Sequence, residues 1–67
     1  MIARIAQILE DLFDIPHCRV EAEDDLCVDW GIDARERRAF DAEFSAEFGV
    51  NVTGTERTVA DYARLVG

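Results

Sequence analysis

The sequence is poor in several residue types that mark particular kinds of protein. It has no lysine, one histidine and two cysteines among 67 residues. Two cysteines and one histidine are too few ligands for a structural metal site. His17 and Cys18 are neighbours, but adjacent loop residues rarely act as base and nucleophile. We therefore expect no metal site and no catalytic residue, and we expect Cys18 and Cys27 to be free thiols. The carboxylates are expected to face solvent, so none of them is a candidate catalytic acid or base.

A long hydrophobic run is also missing. Polar residues interrupt the first thirteen positions, which therefore predict neither a secretory signal nor a membrane span. We expect a cytoplasmic protein with no membrane partner. Residues 1–67 suffice for one domain, and a chain of this length buries only about 60% of its unfolded surface. So small an interior leaves little room for an active-site cleft, which favours an interaction module over an enzyme.

Positive charge is scarce. Fifteen acidic residues stand against seven arginines, a net charge of -8, so we expect no nucleic-acid partner. Nine of the acidic residues lie between Glu10 and Asp33, where Arg19 is the only cation. This stretch fits a protein partner with a basic surface. It equally fits a solvated loop that is kept soluble by its charge, and the pattern does not separate the two.

The first helix is predicted from apolar residues at steps of three and four, and Pro16 is expected to end it. These apolar residues are Ile2, Ile5, Ile8, Leu9, Leu12 and Phe13. Residues 14–32 show no period and predict a long loop held to the core by scattered apolar residues. These anchors are Ile15, Val20, Leu26, Val28, Trp30 and Ile32.

A second helix is predicted to follow Asp33, which with Glu36 has the spacing of a capping box, and to end at Phe48 before Gly49. Phe40, Phe44, Phe48 and Ala39 are assigned to its buried face. A turn is expected at Thr53-Gly54-Thr55. A last helix is expected from the cap Thr58 to Val66, with Val59, Tyr62, Ala63 and Val66 buried.

The order of residues in the middle of the chain is more specific than any one of these signals. Leu26, Asp29, Trp30, Gly31 and Asp33 precede the second helix, Phe48 closes it, and Val50 and Val52 follow. Without a gap, this order resembles the central segment of the acyl carrier proteins. Phe13, Ile15, Val20 and the segment 58–62 extend the resemblance over nearly the whole chain. It implies an all-α fold of the four-helix carrier type: three main helices, a long first loop and a reduced third helix.

Ala34 occupies the position at which this family has the serine that receives 4'-phosphopantetheine. A methyl group cannot accept a phosphoester, so we expect no cofactor. Ser45 is the only serine and lies about three helical turns further along. The segment between Val52 and Val59 is also shorter than in typical carriers, which predicts that the short third helix is reduced to a turn. Trp30 and the phenylalanines could then fill the space of an acyl chain.

Arginines replace the family's apolar and acidic residues beside this position. Arg35, Arg37 and Arg38 lie in the first turns, where the helix dipole disfavours cations. They predict a contact surface for a partner, together with Glu36 and Asp29. The alternative is ordinary solvated charge, paired with Glu36, Asp41 or Asp33.

These observations predict an acyl-carrier-like domain that lacks the carrier serine and acts as a non-catalytic protein-interaction module. Its partner would be an enzyme of lipid, polyketide or peptide assembly, or a protein unrelated to those pathways. The alternative is a genuine acyl or peptidyl carrier of fatty acid, polyketide or nonribosomal peptide biosynthesis in which alanine has been substituted for the native serine to hold the apo form.

Overall fold

A computed structural model describes all 67 residues and consists of three α-helices without a β-strand. The helices are α1 (Ile2–Phe13), α2 (Ala34–Phe48) and α3 (Val59–Val66), and one 3₁₀ turn covers His17–Arg19. The all-α class and the positions of the helices are confirmed. No helix has the length and apolar character needed to cross a membrane.

The helices begin and end where local chemistry favours it. The Glu36 N–H donates to the Asp33 carboxylate (2.8 Å) and the Asp33 N–H donates to the Glu36 carboxylate (3.1 Å), which confirms the capping box before α2. Thr58 and Asp61 form a second capping box before α3. Gly49 ends α2 in the left-handed conformation (φ 66°), which glycine adopts without strain.

Twelve buried apolar residues from all three helices and the long loop form one core. Phe40, Phe44 and Tyr62 are fully buried, and Phe48 packs beside them. Three core assignments made from the pattern are wrong: Leu12, Val28 and Ala39 are exposed, and Val28 is 73% accessible. Leu12 and Ala39 have positions that suit the helical pattern, and Val28 is one of the scattered apolar residues of the loop, but the fold buries none of the three.

The long loop is held by backbone hydrogen bonds to the start of α3. The Leu26 N–H donates to the Arg57 carbonyl (3.0 Å), and the Val59 N–H donates back to the Asp24 carbonyl (3.0 Å). A third bond runs from the Ala60 N–H to the Ala22 carbonyl (2.8 Å). The middle of the loop is therefore held against the start of α3. The Ile32 N–H donates to the Leu26 carbonyl (3.0 Å) and so links the end of the loop to this held part.

The segment between Val52 and Thr58 contains no helix. It bends at Gly54 (φ 92°), in agreement with the turn predicted at Thr53-Gly54-Thr55. Glu56 in this segment is only 5% exposed, although all carboxylates were expected to face solvent. Its carboxylate accepts hydrogen bonds from the Thr53 hydroxyl and the Gly54 N–H. Burial opposes ionisation of Glu56, but these hydrogen bonds outweigh it and lower the pKa of the carboxyl.

The capping box gives a first test of the fold. Replacing Asp33 by alanine removes the acceptor for the Glu36 N–H and should destabilise the protein by about 1 kcal/mol. For a domain of this size that corresponds to a melting temperature lower by roughly 4–8 °C. The matched variant Asp33→Asn keeps an acceptor and should melt close to the wild type in circular dichroism. Equal losses in the two variants would contradict a capping role.

Candidate functional site

An open groove of about 410 Å³ lies where the end of the long loop, the start of α2 and the turn before α3 meet. It is lined by Asp25, Leu26, Cys27, Ile32, Asp33, Ala34, Arg37, Arg38, Asp41, Gly54 and Arg57. Ala34, the first residue of α2, is exposed at this groove. The groove therefore opens at the position that the resemblance assigns to the missing carrier serine.

Ala34 presents a methyl group and no nucleophilic oxygen to the groove. Ser45 lies in the fourth turn of α2 and lines a second, neighbouring depression with Asn51, Val52 and Thr53. Eleven residues of helix place its Cα about 16 Å from that of Ala34. Ser45 therefore cannot replace the absent hydroxyl in this groove.

The Arg37 side chain makes its polar contacts within the protein. Its Nε–H donates to the Tyr62 hydroxyl, which in turn donates to the Asp41 carboxylate at 2.6 Å. Arg37 also pairs with Asp41 (N···O 3.6 Å), one of the partners that its sequence spacing suggested. Burial first, and then the Asp41 carboxylate, raise the pKa of the Tyr62 phenol far above its usual value. These three side chains form a polar bridge between α2 and α3.

Arg35 and Arg38 differ from Arg37. Both are exposed, and neither makes a hydrogen bond or an ion pair with another side chain. They are one helical turn apart on α2, and Arg38 lines the groove. Of the three arginines predicted to form a contact surface, two are therefore free and one supports the fold.

The two acidic residues of the predicted surface have internal hydrogen bonds. Glu36 accepts the N–H that completes the capping box. Asp29 is exposed, and its carboxylate accepts the Asp25 N–H at 2.6 Å. Both side chains therefore stabilise the backbone near the groove, and this role does not depend on a partner.

The acidic loop uses its carboxylates in a similar way. Asp25 accepts the N–H groups of Cys27 and Val28 (both 2.9 Å), and Asp24 accepts the indole N–H of Trp30 (2.9 Å). The Val28 N–H bond is the main cause that lowers the pKa of Asp25, and Arg57 adds to it. These contacts favour a structural role for the centre of the acidic stretch.

The single histidine and the two cysteines form no site together. Cys18 and Cys27 are free and exposed. The His17 Nδ1 lies 3.0 Å from the Glu10 carboxylate, and no hydrogen bond joins it to Cys18. No group of three or more metal-ligating side chains converges anywhere in the chain.

Comparison with known proteins does not assign the chain to a family. No model of a known protein family matches the chain, and no curated protein sequence matches it. The functional argument accordingly depends on the residues and their arrangement.

The environment of Tyr62, the only tyrosine, predicts the response to alkaline pH. Its folded pKa lies above the unfolded value of about 10, so the folded state holds the proton more tightly. The stability linked to this proton is complete below pH 10 or so and falls as the pH rises further. We expect near-ultraviolet absorbance to show the phenol ionising in the same transition that abolishes helical circular dichroism. A separate tyrosinate transition near pH 10 in folded protein would contradict this environment.

The different contacts of Arg37 and Arg38 predict different effects on stability. Arg37→Ala removes the donor to Tyr62 and the pair with Asp41, and should cost about 1–2 kcal/mol in urea unfolding. Arg38→Ala, the matched change one residue away, should stay within about 0.5 kcal/mol of the wild type. Alanine favours helix in both variants, so propensity does not produce the difference. Equal losses would show that the bridge to Tyr62 contributes nothing.

Proposed function

We propose that the chain is a degenerate acyl-carrier-like domain that acts as a non-catalytic protein-interaction module without a prosthetic group. The observation that carries this proposal is the surface at the start of α2. There an exposed methyl group takes the place of the expected nucleophile, and two unpaired arginines follow it. A surface of this composition can recognise a partner, but it cannot hold a phosphoester.

The finer fold is part of the same proposal. In it, α1, α2 and α3 correspond to the three main helices of a four-helix carrier bundle, and residues 53–57 take the place of the reduced third helix. The long loop between α1 and α2 and the capping box at Asp33 support this correspondence. So does the segment after Val52, which bends at Gly54 instead of forming a helix.

The interior between α2 and α3 supports the loss of carrier chemistry. Ring centroids of Phe40 and Tyr62 are 4.9 Å apart, those of Phe44 and Tyr62 5.2 Å, and those of Phe44 and Phe48 4.9 Å. These are contact distances for aromatic rings. Side chains therefore occupy the space between the two helices that an acyl chain would need.

The partner in this proposal is a cytoplasmic protein, and an enzyme of lipid, polyketide or peptide assembly is one such class. The exposed acidic residues Glu21 and Glu23 would suit a basic surface on it. Arg35 and Arg38 offer a second patch of opposite sign. Recognition would depend on this distribution of charge, and no bond would be made or broken.

A second candidate is the genuine carrier in which alanine has been substituted for serine. One observation favours it: Ala34 is exposed at the first position of an intact α2, so a serine would fit there without a clash. The residues that follow oppose it, because Arg35 stands where carriers have an apolar side chain.

The variant Ala34→Ser separates the two candidates, whereas the wild type remains unloaded under both. It should be incubated with coenzyme A and a broad-specificity phosphopantetheinyl transferase, beside an authentic carrier protein as the positive control. We expect its intact mass to remain unchanged, because the surface around residue 34 no longer fits the transferase. A gain of the mass of phosphopantetheine would overturn the proposal and favour the second candidate, because the surface around residue 34 would then still fit the transferase.

A matched double variant identifies the cause. Ala34→Ser combined with Arg35→Leu restores the serine and also the apolar residue that follows it in carriers. If Arg35 is the obstacle, the double variant should be loaded while the single variant is not. Helical circular dichroism of both variants checks that they remain folded.

A further inference from the structure

We propose that Arg35, Arg38 and the groove at Ala34 bind an acidic peptide segment that inserts one apolar side chain. This inference rests on the proposed function and specifies the chemistry of the partner at this surface. It also reverses the expectation from net charge, since a chain of charge -8 would here bind an anion.

The first support is the distribution of ion pairs. Four of the seven arginines have a carboxylate partner: Arg4 with Glu47, Arg37 with Asp41, Arg57 with Asp25 and Arg64 with Asp61. Arg19, Arg35 and Arg38 have none, although acidic residues outnumber arginines by more than two to one. Two of the three unpaired cations thus lie together at one end of α2.

The second support is the cost of that placement. Arg35 and Arg38 are three positions apart on a helix, so their side chains are neighbours and repel each other. They also lie within the first turns, where the helix dipole disfavours positive charge. No contact inside the chain offsets either effect. An anion bound from outside would offset both.

The third support is that the carboxylates of the groove already have partners. The groove contains three carboxylates, but Asp25 pairs with Arg57 (3.3 Å) and Asp41 accepts from Tyr62 (2.6 Å). Asp33 accepts the N–H that caps α2 (2.8 Å). Each carboxylate therefore already has a donor. Arg38 is the one charged side chain of the groove without a hydrogen-bond or ion-pair partner, so it is the group there that is free to bind a carboxylate.

The apolar part of the ligand follows from the remaining lining. Ala34 and Cys27 contribute exposed apolar surface, the buried side chains of Leu26 and Ile32 lie behind them, and the volume of 410 Å³ exceeds that of a single side chain. One leucine-sized group inserted here would remove apolar surface from water while flanking carboxylates reach the two arginines. A short peptide with acidic residues around one apolar residue meets both requirements.

Nucleic acid fits this surface less well. A strand presents a long row of phosphates, and beyond the two arginines it would meet exposed carboxylates such as Asp29 and Glu43. A short acidic segment needs to reach only Arg35 and Arg38. The proposal therefore commits to a peptide, and an oligonucleotide serves as a competing probe.

The test uses the intact ¹⁵N-labelled protein at low salt. The probe is a peptide with a central leucine between two runs of four glutamates, followed by two-dimensional NMR. We expect amide shifts confined to residues 25–41 and 54–57, and weaker binding as salt is added. A peptide with serine in place of the leucine should bind about tenfold more weakly, because one buried aliphatic side chain is lost.

The variants Arg38→Glu and Arg19→Glu form a matched pair, since each reverses one unpaired, exposed arginine. We expect Arg38→Glu to weaken binding about tenfold or more and Arg19→Glu to leave it nearly unchanged. Helical circular dichroism should be the same for both.

Four results would overturn the inference: no shifts, shifts at other residues, equal effects of the two arginine variants, or tighter binding of an oligothymidylate at the same residues. Equal affinity of the leucine and serine peptides would overturn its apolar part. None of these results involves the transferase. If the peptide fails while Ala34→Ser remains unloaded, the inference is wrong and the proposed function stands; if Ala34→Ser is loaded, the proposed function fails whatever the peptide does.

Discussion

The packing of Tyr62 is the constraint on which the rest of the structure depends. Helix α3 has eight residues, too few to be stable alone in water, so tertiary contacts must hold it. Tyr62 supplies them in two forms: its ring lies edge-on against Phe40 and Phe44, and its hydroxyl joins Arg37 to Asp41. With α3 in place, its first N–H groups can pair with the long loop. The loop in turn places Asp33 at the start of α2, where it caps the helix.

The features that the sequence predicted well are those encoded within four residues. The capping boxes Asp33–Glu36 and Thr58–Asp61 and the stop at Gly49 each depend on neighbours in the chain, so their spacing alone reveals them. Leu12 shows the limit of periodicity, since it fits the apolar stripe of α1 but no other element covers it. Glu56 shows the opposite error. The signal that could have found it is the Thr53-Gly54 turn just before it, whose hydroxyl and N–H groups require an acceptor.

The composition of the site could be predicted, but the roles of its residues could not. Arg35, Arg37 and Arg38 differ little in the sequence: the one local signal is that only Arg37 has an acidic residue four positions further on, Asp41. What separates them is the Tyr62 hydroxyl, which is 25 positions from Arg37. A contact of that separation depends on the relative placement of α2 and α3, which no local pattern encodes. The acidic loop is similar, because hydrogen bonds to Trp30 and to backbone N–H groups determine which carboxylates remain free.

The same constraint links the two proposals. The rings of Phe40, Phe44 and Tyr62 fill the space between α2 and α3, and the hydrogen bond from Arg37 to Tyr62 joins the two helices beside them. The interior therefore has little freedom to open for an acyl chain. A domain with such an interior can be recognised only from outside. The turning of Arg37 toward Tyr62 also removes one cation from the surface and leaves Arg35 and Arg38 beside the groove. The proposed loss of carrier chemistry and the proposed binding of an acidic segment therefore depend on the same packing of α2 against α3. The first depends on the filled interior, and the second on the two arginines that remain free at the surface.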